Sequence, residues 1–343
     1  MIEHDLRPST PPAPGSGPAG ARPEPPATAL QAYHRAAHAI PHRRYWYRPL
    51  VTLLVSVVVL AVMTLQLLLV LTIAGAIWPS FAPSPSLADP LNPVDQLMSL
   101  GMLALLIPAV LIGTLAGYGR AGIAFSVLGR FRWRLLGRAA LVVVPVYVLV
   151  NMVLNLVLER EAIVVPPLGT GVLGAWLIAL VLAPLQSAGE EFVFRALPMQ
   201  MLGTWLRWPL VGILVPVPLF VLGHGYDWAG QLHIALFAIA MGLLAWKTGG
   251  LELPILLHVA NNWTLFAIAP LIPGFTEQGE VGALGLLLAL VPMVALSAGI
   301  WWWYSRRAGL GLWEPQRGAV QTLSPSAAIT SSARAVRGER SMI

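Results

Sequence analysis

The chain contains no cysteine. Disulfides, thiolate nucleophiles and Cys-ligated metal sites are therefore excluded. Charge is also scarce: 10% of residues are Asp, Glu, Lys or Arg, against about 25% in an ordinary soluble domain. There is no HExxH zinc helix, no GxSxG serine elbow and no GxGD-type aspartate pair. No internal repeat is evident, which weighs against an inverted-repeat transporter. Residues 1–44 hold nine prolines and lack the apolar run of about 7–15 residues that a secretory signal needs.

What the chain has in quantity is apolar sequence. Of 343 residues, 57% are hydrophobic, and the mean hydropathy is +0.73. This is the composition of an integral membrane protein in a lipid bilayer. The net charge of +6 does not indicate a nucleic-acid partner, because the basic residues lie in short loops and tails between apolar spans. Eight runs approach the ~20 residues a bilayer requires: 49–77, 96–118, 138–158, 171–200, 208–224, 230–247, 251–271 and 281–304. The fifth is short, and Pro216 and Pro218 predict a kink or unwound turn there. The expected fold is all-α, a polytopic bundle of about eight transmembrane helices spanning 48–305. A disordered Pro/Ala-rich tail is expected over 1–47 and a second over 306–343. Arg35, Arg43, Arg44, Arg48, Arg120, Arg130, Arg132, Arg134, Arg138, Arg207, Lys247, Arg306 and Arg307 all lie at loops or span ends of one parity. The opposite loops carry Asp89, Asp95, Glu159, Glu161, Asp227, Glu277 and Glu280, with Arg160 the lone base. The positive-inside rule then predicts both termini in the cytoplasm.

A few polar residues interrupt the spans. Glu190, Glu191 and Arg195 lie on the fourth. His224 ends the fifth, one turn beyond Phe220. His258 and Asn262 share a face of the seventh. A charge near the centre of a bilayer costs at least ~2.5–3.5 kcal/mol by insertion scales, so ionisable residues there default to function. Glu191 and Arg195, at i and i+4, can form an ion pair, either structural or part of a site. Glu190 points about 100° away from that pair and is left free. Lone polar residues have simpler readings: His233 as an interhelical hydrogen-bonder, Asn151 and Asn155 as helix glue, and Asn261 as a bystander. Gln186 stands among the same scattered polar positions without an assigned role.

Together the remaining groups form a plausible chemistry. A carboxylate in a low-dielectric site is a competent general base. An imidazole can share the proton of an attacked water, and a second His with an Asn amide can donate to a developing oxyanion. The same Glu and His residues can alternatively hold Zn²⁺, with Glu190, His224 and His258 as ligands.

These residues stand in recognisable patterns. EEFVFR fits EExxxR, FVLGH fits FxxxH and HVANN fits HxxxN, in that order along the chain. Together with AMGLLAWKTGGLELPILLHVANN, they resemble the CPBP intramembrane proteases over 171–271. That family includes type II CaaX prenyl endopeptidases and bacterial bacteriocin-processing and self-immunity proteins. The resemblance implies a helical endopeptidase, open to the cytoplasmic side, acting on a membrane-associated protein or peptide. Glu190 would be the general base and His224 would help activate water. His258 and Asn262 would form the oxyanion hole, with Glu191 and Arg195 in support. No cofactor is expected, because the sequence shows no carboxylate positioned behind either His as a zinc site prefers; Zn²⁺ is the competing expectation. CaaX-type cleavage rests on the resemblance alone. The cysteine-free, arginine-rich character reads as bacterial, which predicts a multi-pass protein of a bacterial cytoplasmic membrane.

Two other readings remain: a catalytically inactive scaffold or self-immunity protein, and a proton-coupled transporter using the Glu pair. The presence of Glu190, His224, His258 and Asn262 together favours the protease. One geometric requirement follows. Glu190 and His258 match in depth along straight helices. His224, about 16 residues into its span at ~1.5 Å per residue, does not. Either that span starts later, or Pro216 and Pro218 break it.

Overall fold

In hydrocarbon every backbone N–H and C=O must be satisfied within the protein, so long apolar runs fold as helices. The computed structural model describes residues 30–40, 46–167, 169–275 and 278–319. Its main helices are α1 Arg48–Ile77, α2 Pro93–Tyr118, α3 Trp133–Leu158, α4 Thr170–Trp205, α5 Pro209–Leu222, α6 Trp228–Thr248, α7 Glu252–Leu271 and α8 Ala283–Ala308. All except α5 are long and apolar enough to cross a membrane. The expected eight spans are therefore seven full ones and a short fifth. The protein is an integral membrane protein of all-α type.

The short helix is two pieces, Pro209–Leu214 and Val217–Leu222. Pro216 and Pro218 have no N–H to give to Gly212 and Leu214, so the ladder stops between them. This is the break that the position of His224 required.

Packing is ordered around α4 and α7. Helix α2 lies on α4, α4 on α7, and α7 on α3. The main apolar core joins Val143, Tyr147, Phe220, Phe237, Met241 and Leu257. Helix α1 is peripheral and leaves most of its Leu and Val side chains on the surface, as a lipid-facing helix does. It is held to α2 through small residues. A Cβ at Gly113 would stand 2.0 Å from Ser56 Oγ, and one at Gly117 1.9 Å from Thr52 Oγ1. The two backbones approach through this Gly-x-x-x-Gly face because no side chain intervenes.

Two segments expected to be disordered are folded where they are described. Residues Tyr33–Ala39 form a 3-10 helix, and Tyr33 is fully buried with its hydroxyl donating to Ala124 O at 2.5 Å. Strand β1, Gln31–Ala32, pairs antiparallel with β2, Arg317–Gly318. The segment after α8 is anchored by Lys247, whose Nζ donates to Gly311 O and Glu314 O at 2.6 Å each. Lys247, expected at the end of a span, is there and is wholly buried. Composition missed these contacts because an anchor of one Tyr or one Lys leaves no periodic signal. The rest of both expected tails, 1–29, 41–45 and 320–343, lies outside the described residues.

The same face holds a buried ion pair. Arg132 donates through Nε and NH2 to the Glu252 carboxylate, at 2.9 and 2.6 Å, and through NH1 to Thr248 O at 2.8 Å. Burial opposes its charge, but the hydrogen bond and charge of Glu252 more than offset this, and the Arg132 pKa stands raised.

Replacing Gly113 by Val should force α1 from α2 and lower stability by about 1–3 kcal/mol, the usual cost of overpacking. Gly137→Ala, where the added Cβ meets nothing within 4 Å, should not destabilise. Unfolding midpoints in detergent measure both.

Candidate active site

Helix α4 widens just where its carboxylates end. Its first α-helical part closes at Glu191, Phe192–Ala196 is a π-helical turn, and α-helix resumes over Leu197–Trp205. Pro198 follows and cannot donate to Phe194 O, which removes an α-type bond at that place. Single π turns of this kind are frequent at functional sites. The turn carries Arg195 and places it against Glu191.

Glu191 is fully buried. Its Oε1 lies 3.3 Å from Arg195 NH1 and 2.8 Å from His258 Nδ1. The expected i,i+4 ion pair is thus present, and it has a third member on α7. Arg195, 2% exposed, places its guanidinium 4.5 Å from the centroid of Phe220 and 5.8 Å from that of Phe237. Aromatic faces take the place of water around a cation here.

Glu190 turns the other way, as the helical angle predicted. It lines a cavity of about 520 Å³ with His224, His258 and Asn262. Its Oε2 stands 3.4 Å from His258 Nε2 and has no hydrogen-bond partner. His258 therefore lies between two carboxylates, with Nδ1 on Glu191 and Nε2 toward Glu190.

His224 reaches the same cavity from the end of α5. Its Nδ1 is 2.8 Å from Phe220 O, and its ring lies 4.9 Å from the Phe220 ring at a tilt of 56°, the neighbouring ring that the FxxxH spacing predicted. No hydrogen bond or ion pair joins His224 to Glu190 among the described residues. Beyond it the cavity wall continues through Tyr226, whose hydroxyl pKa is raised by burial.

All four cavity-facing candidates are brought together, and Glu191 and Arg195 stand behind them. Several residues read as structural also line the cavity. His233 makes no hydrogen bond among the described residues and borders the cavity instead of bridging helices. Asn261 is not a bystander: its Nδ2 donates to Asn262 Oδ1 at 3.0 Å. Gln186 accepts from Asn262 Nδ2 at 3.2 Å. The spacing of Gln186 and Glu190, i and i+4 on one face of α4, is the signal that could have drawn Gln186 into the site.

Among the described residues no group of three or more His, Asp or Glu is placed to hold an ion. Glu190 and His258 are close, but His224 does not complete a set with them. The sequence argument against zinc, however, was wrong in its premise. A carboxylate does stand behind His258, namely Glu191, which lies 67 residues away in the chain and only meets it in the fold.

Comparison with known proteins covers this same region. Residues 169–264 match the family model described as type II CAAX prenyl endopeptidase Rce1-like. The uncharacterized protein YyaK of Bacillus subtilis (strain 168) is 33% identical over 100 residues, which are 26% of this chain and 33% of that protein. The chain thus spans about a third of the length of this curated relative. No solved structure matches. The matched segment holds every one of Glu190, Glu191, Arg195, His224, His258 and Asn262, and it is Rce1-like in sequence.

Proposed function

We propose that this protein is an intramembrane endopeptidase that hydrolyses a peptide bond of a membrane-associated protein or peptide with water activated by Glu190. The observation that carries the reading is the Glu190 carboxylate itself. It is buried, directed into the cavity, and has one oxygen free of hydrogen bonds beside His258. A carboxylate kept this way is available to take a proton.

In the proposed reaction Glu190 removes a proton from water, and the hydroxide formed adds to the scissile carbonyl carbon. His224, on the same wall, orients that water. The carbonyl oxygen becomes an oxyanion and accepts hydrogen bonds from Asn262 Nδ2 and His258 Nε2. His258 meets the oxyanion through Nε2 while its Nδ1 stays on Glu191. Glu190 then returns its proton to the leaving nitrogen as the C–N bond breaks, which restores the carboxylate. Removing one oxyanion donor commonly costs about 10²–10³ in kcat, so this pair supplies a large part of the acceleration. Glu191 and Arg195 hold His258 in place. The similarity to CAAX endopeptidases makes a substrate cut near its C-terminus the reading to test first, and a bacterial cytoplasmic membrane the proposed location.

The test compares peptide termini in host membrane fractions, wild type against Glu190→Gln at equal expression. Termini present only with the wild type are expected, and their sequences give the cut site. Matching sets of termini under several growth conditions would sink the reading. With a peptide spanning that site, Glu190→Gln should lower kcat by about 10²–10⁴-fold, the span of general-base effects. A chelator should leave the purified enzyme's rate unchanged; loss of activity restored by Zn²⁺ would replace this mechanism with a metal one. Glu191→Gln should lower stability by about 3–5 kcal/mol, because it leaves Arg195 buried without a counter-charge. Thermal unfolding in detergent reads that effect separately from rate.

A further inference from the structure

Six amide side chains border the cavity, Asn151, Asn155, Gln186, Asn261 and Asn262 from three helices and Gln278 from a loop. Four of them form one directed chain. An amide can present either its oxygen or its NH₂ to a substrate, and only the NH₂ serves an oxyanion. The arrangement decides which end of Asn262 is presented.

The direction is set at Asn151, in the π-helical segment Val148–Leu154 of α3. Its Nδ2 is 3.2 Å from the backbone carbonyl of Asn261 and 3.0 Å from Thr264 Oγ1. A carbonyl can only accept. Thr264 gives its single proton to Ala260 O or Asn261 O, at 2.7 and 2.9 Å, so toward Asn151 it also accepts. Asn151 is therefore a donor here and has a fixed orientation. Asn151 has two N–H groups for three acceptors, so one is shared between the Asn261 carbonyl and Asn261 Oδ1, the latter at 3.3 Å. With its oxygen turned to Asn151, Asn261 must offer its Nδ2 to Asn262, and the 3.0 Å contact to Asn262 Oδ1 follows. The Asn262 oxygen is thereby consumed. One of its N–H groups goes to Gln186 Oε1 at 3.2 Å, and the other remains for the cavity. Gln186 Oε1 also accepts from Ser187 Oγ at 3.1 Å, which keeps the Gln186 oxygen on that side.

We infer that Asn151, Asn261 and Gln186 are positioning residues that lock the Asn262 amide with an N–H toward the reacting carbonyl. The inference rests on the proposed hydrolysis and adds to it how the donor is aimed. A rotating amide would spend part of its time with its oxygen facing the oxyanion, where it repels.

Asn261→Asp tests this with almost no change of volume. A carboxylate accepts from Asn151 but has no N–H for Asn262, so the Asn262 amide turns its Nδ2 to Asp and its oxygen away. With the peptide spanning the cut site, kcat should fall roughly 10- to 100-fold with KM little changed, less than the outright loss of an oxyanion donor because the Asn262 amide is misdirected and not removed. In an Asn262→Ala background the same substitution should cost nothing further. An undiminished kcat, or an equal loss in the Asn262→Ala background, overturns the inference while leaving the hydrolysis intact. A second measurement needs no substrate. In full-length protein labelled with ¹⁵N-asparagine, the side-chain signal of Asn262, assigned by its loss in Asn262→Asp, should shift and exchange faster in Asn261→Leu. An unchanged signal overturns the relay even if no peptide is ever cut. Cleavage absent from wild type, with the signal shifted as expected, would instead overturn the protease reading alone.

Discussion

The site depends on one carboxylate that never meets solvent. Glu191 is fully buried, so its charge must be matched within the protein. Arg195 matches it from the same helix, and His258 binds it from another. Because of this contact α4 and α7 cannot slide past one another without breaking the buried Glu191–His258 hydrogen bond. The cavity between them therefore has a fixed shape. Arg195 has its own cost of burial, which the faces of Phe220 and Phe237 offset. Phe220 in turn carries His224 one turn further along. The three sequence patterns are thus connected physically: the acid of the first holds the His of the third, and the base of the first rests on the ring of the second.

This division of labour explains the two adjacent glutamates. In a helix, neighbours point about 100° apart, so one can be tied into the packing while the other faces the cavity. Glu191 takes the first role and Glu190 the second. The π turn that follows gives Arg195 the room to reach back. A second layer of order comes from uncharged groups. The amides of α3, α4 and α7 satisfy one another around the cavity and need no charge to do so, which keeps that wall polar at low desolvation cost.

Much of this was legible in the sequence, and the limits have physical causes. Spans were readable because the bilayer imposes length and polarity together, and the broken fifth was readable because two prolines remove two donors. The ring under His224 and the Glu191–Arg195 pair follow from helical spacing. What spacing cannot reveal is contact between helices. The bond from Glu191 to His258 and the place of Asn261 depend on how α7 lies on α4, and both were misjudged. The folded pieces at 30–40 and 309–319 were missed for a related reason. Their order comes from Tyr33, Lys247 and a two-residue strand pair, features too local to alter composition.

That strand pair has a consequence for the path of the chain through the bilayer. Gln31–Ala32 and Arg317–Gly318 are hydrogen-bonded to each other, so the entry to the first helix and the exit from the last share one side. A chain that begins and ends on one side has crossed an even number of times. Seven full spans would be odd. The two-piece helix Pro209–Leu222, short as it is, is the further apolar stretch from which an even count can be made, and His224 lies just beyond its end, where the chain turns back.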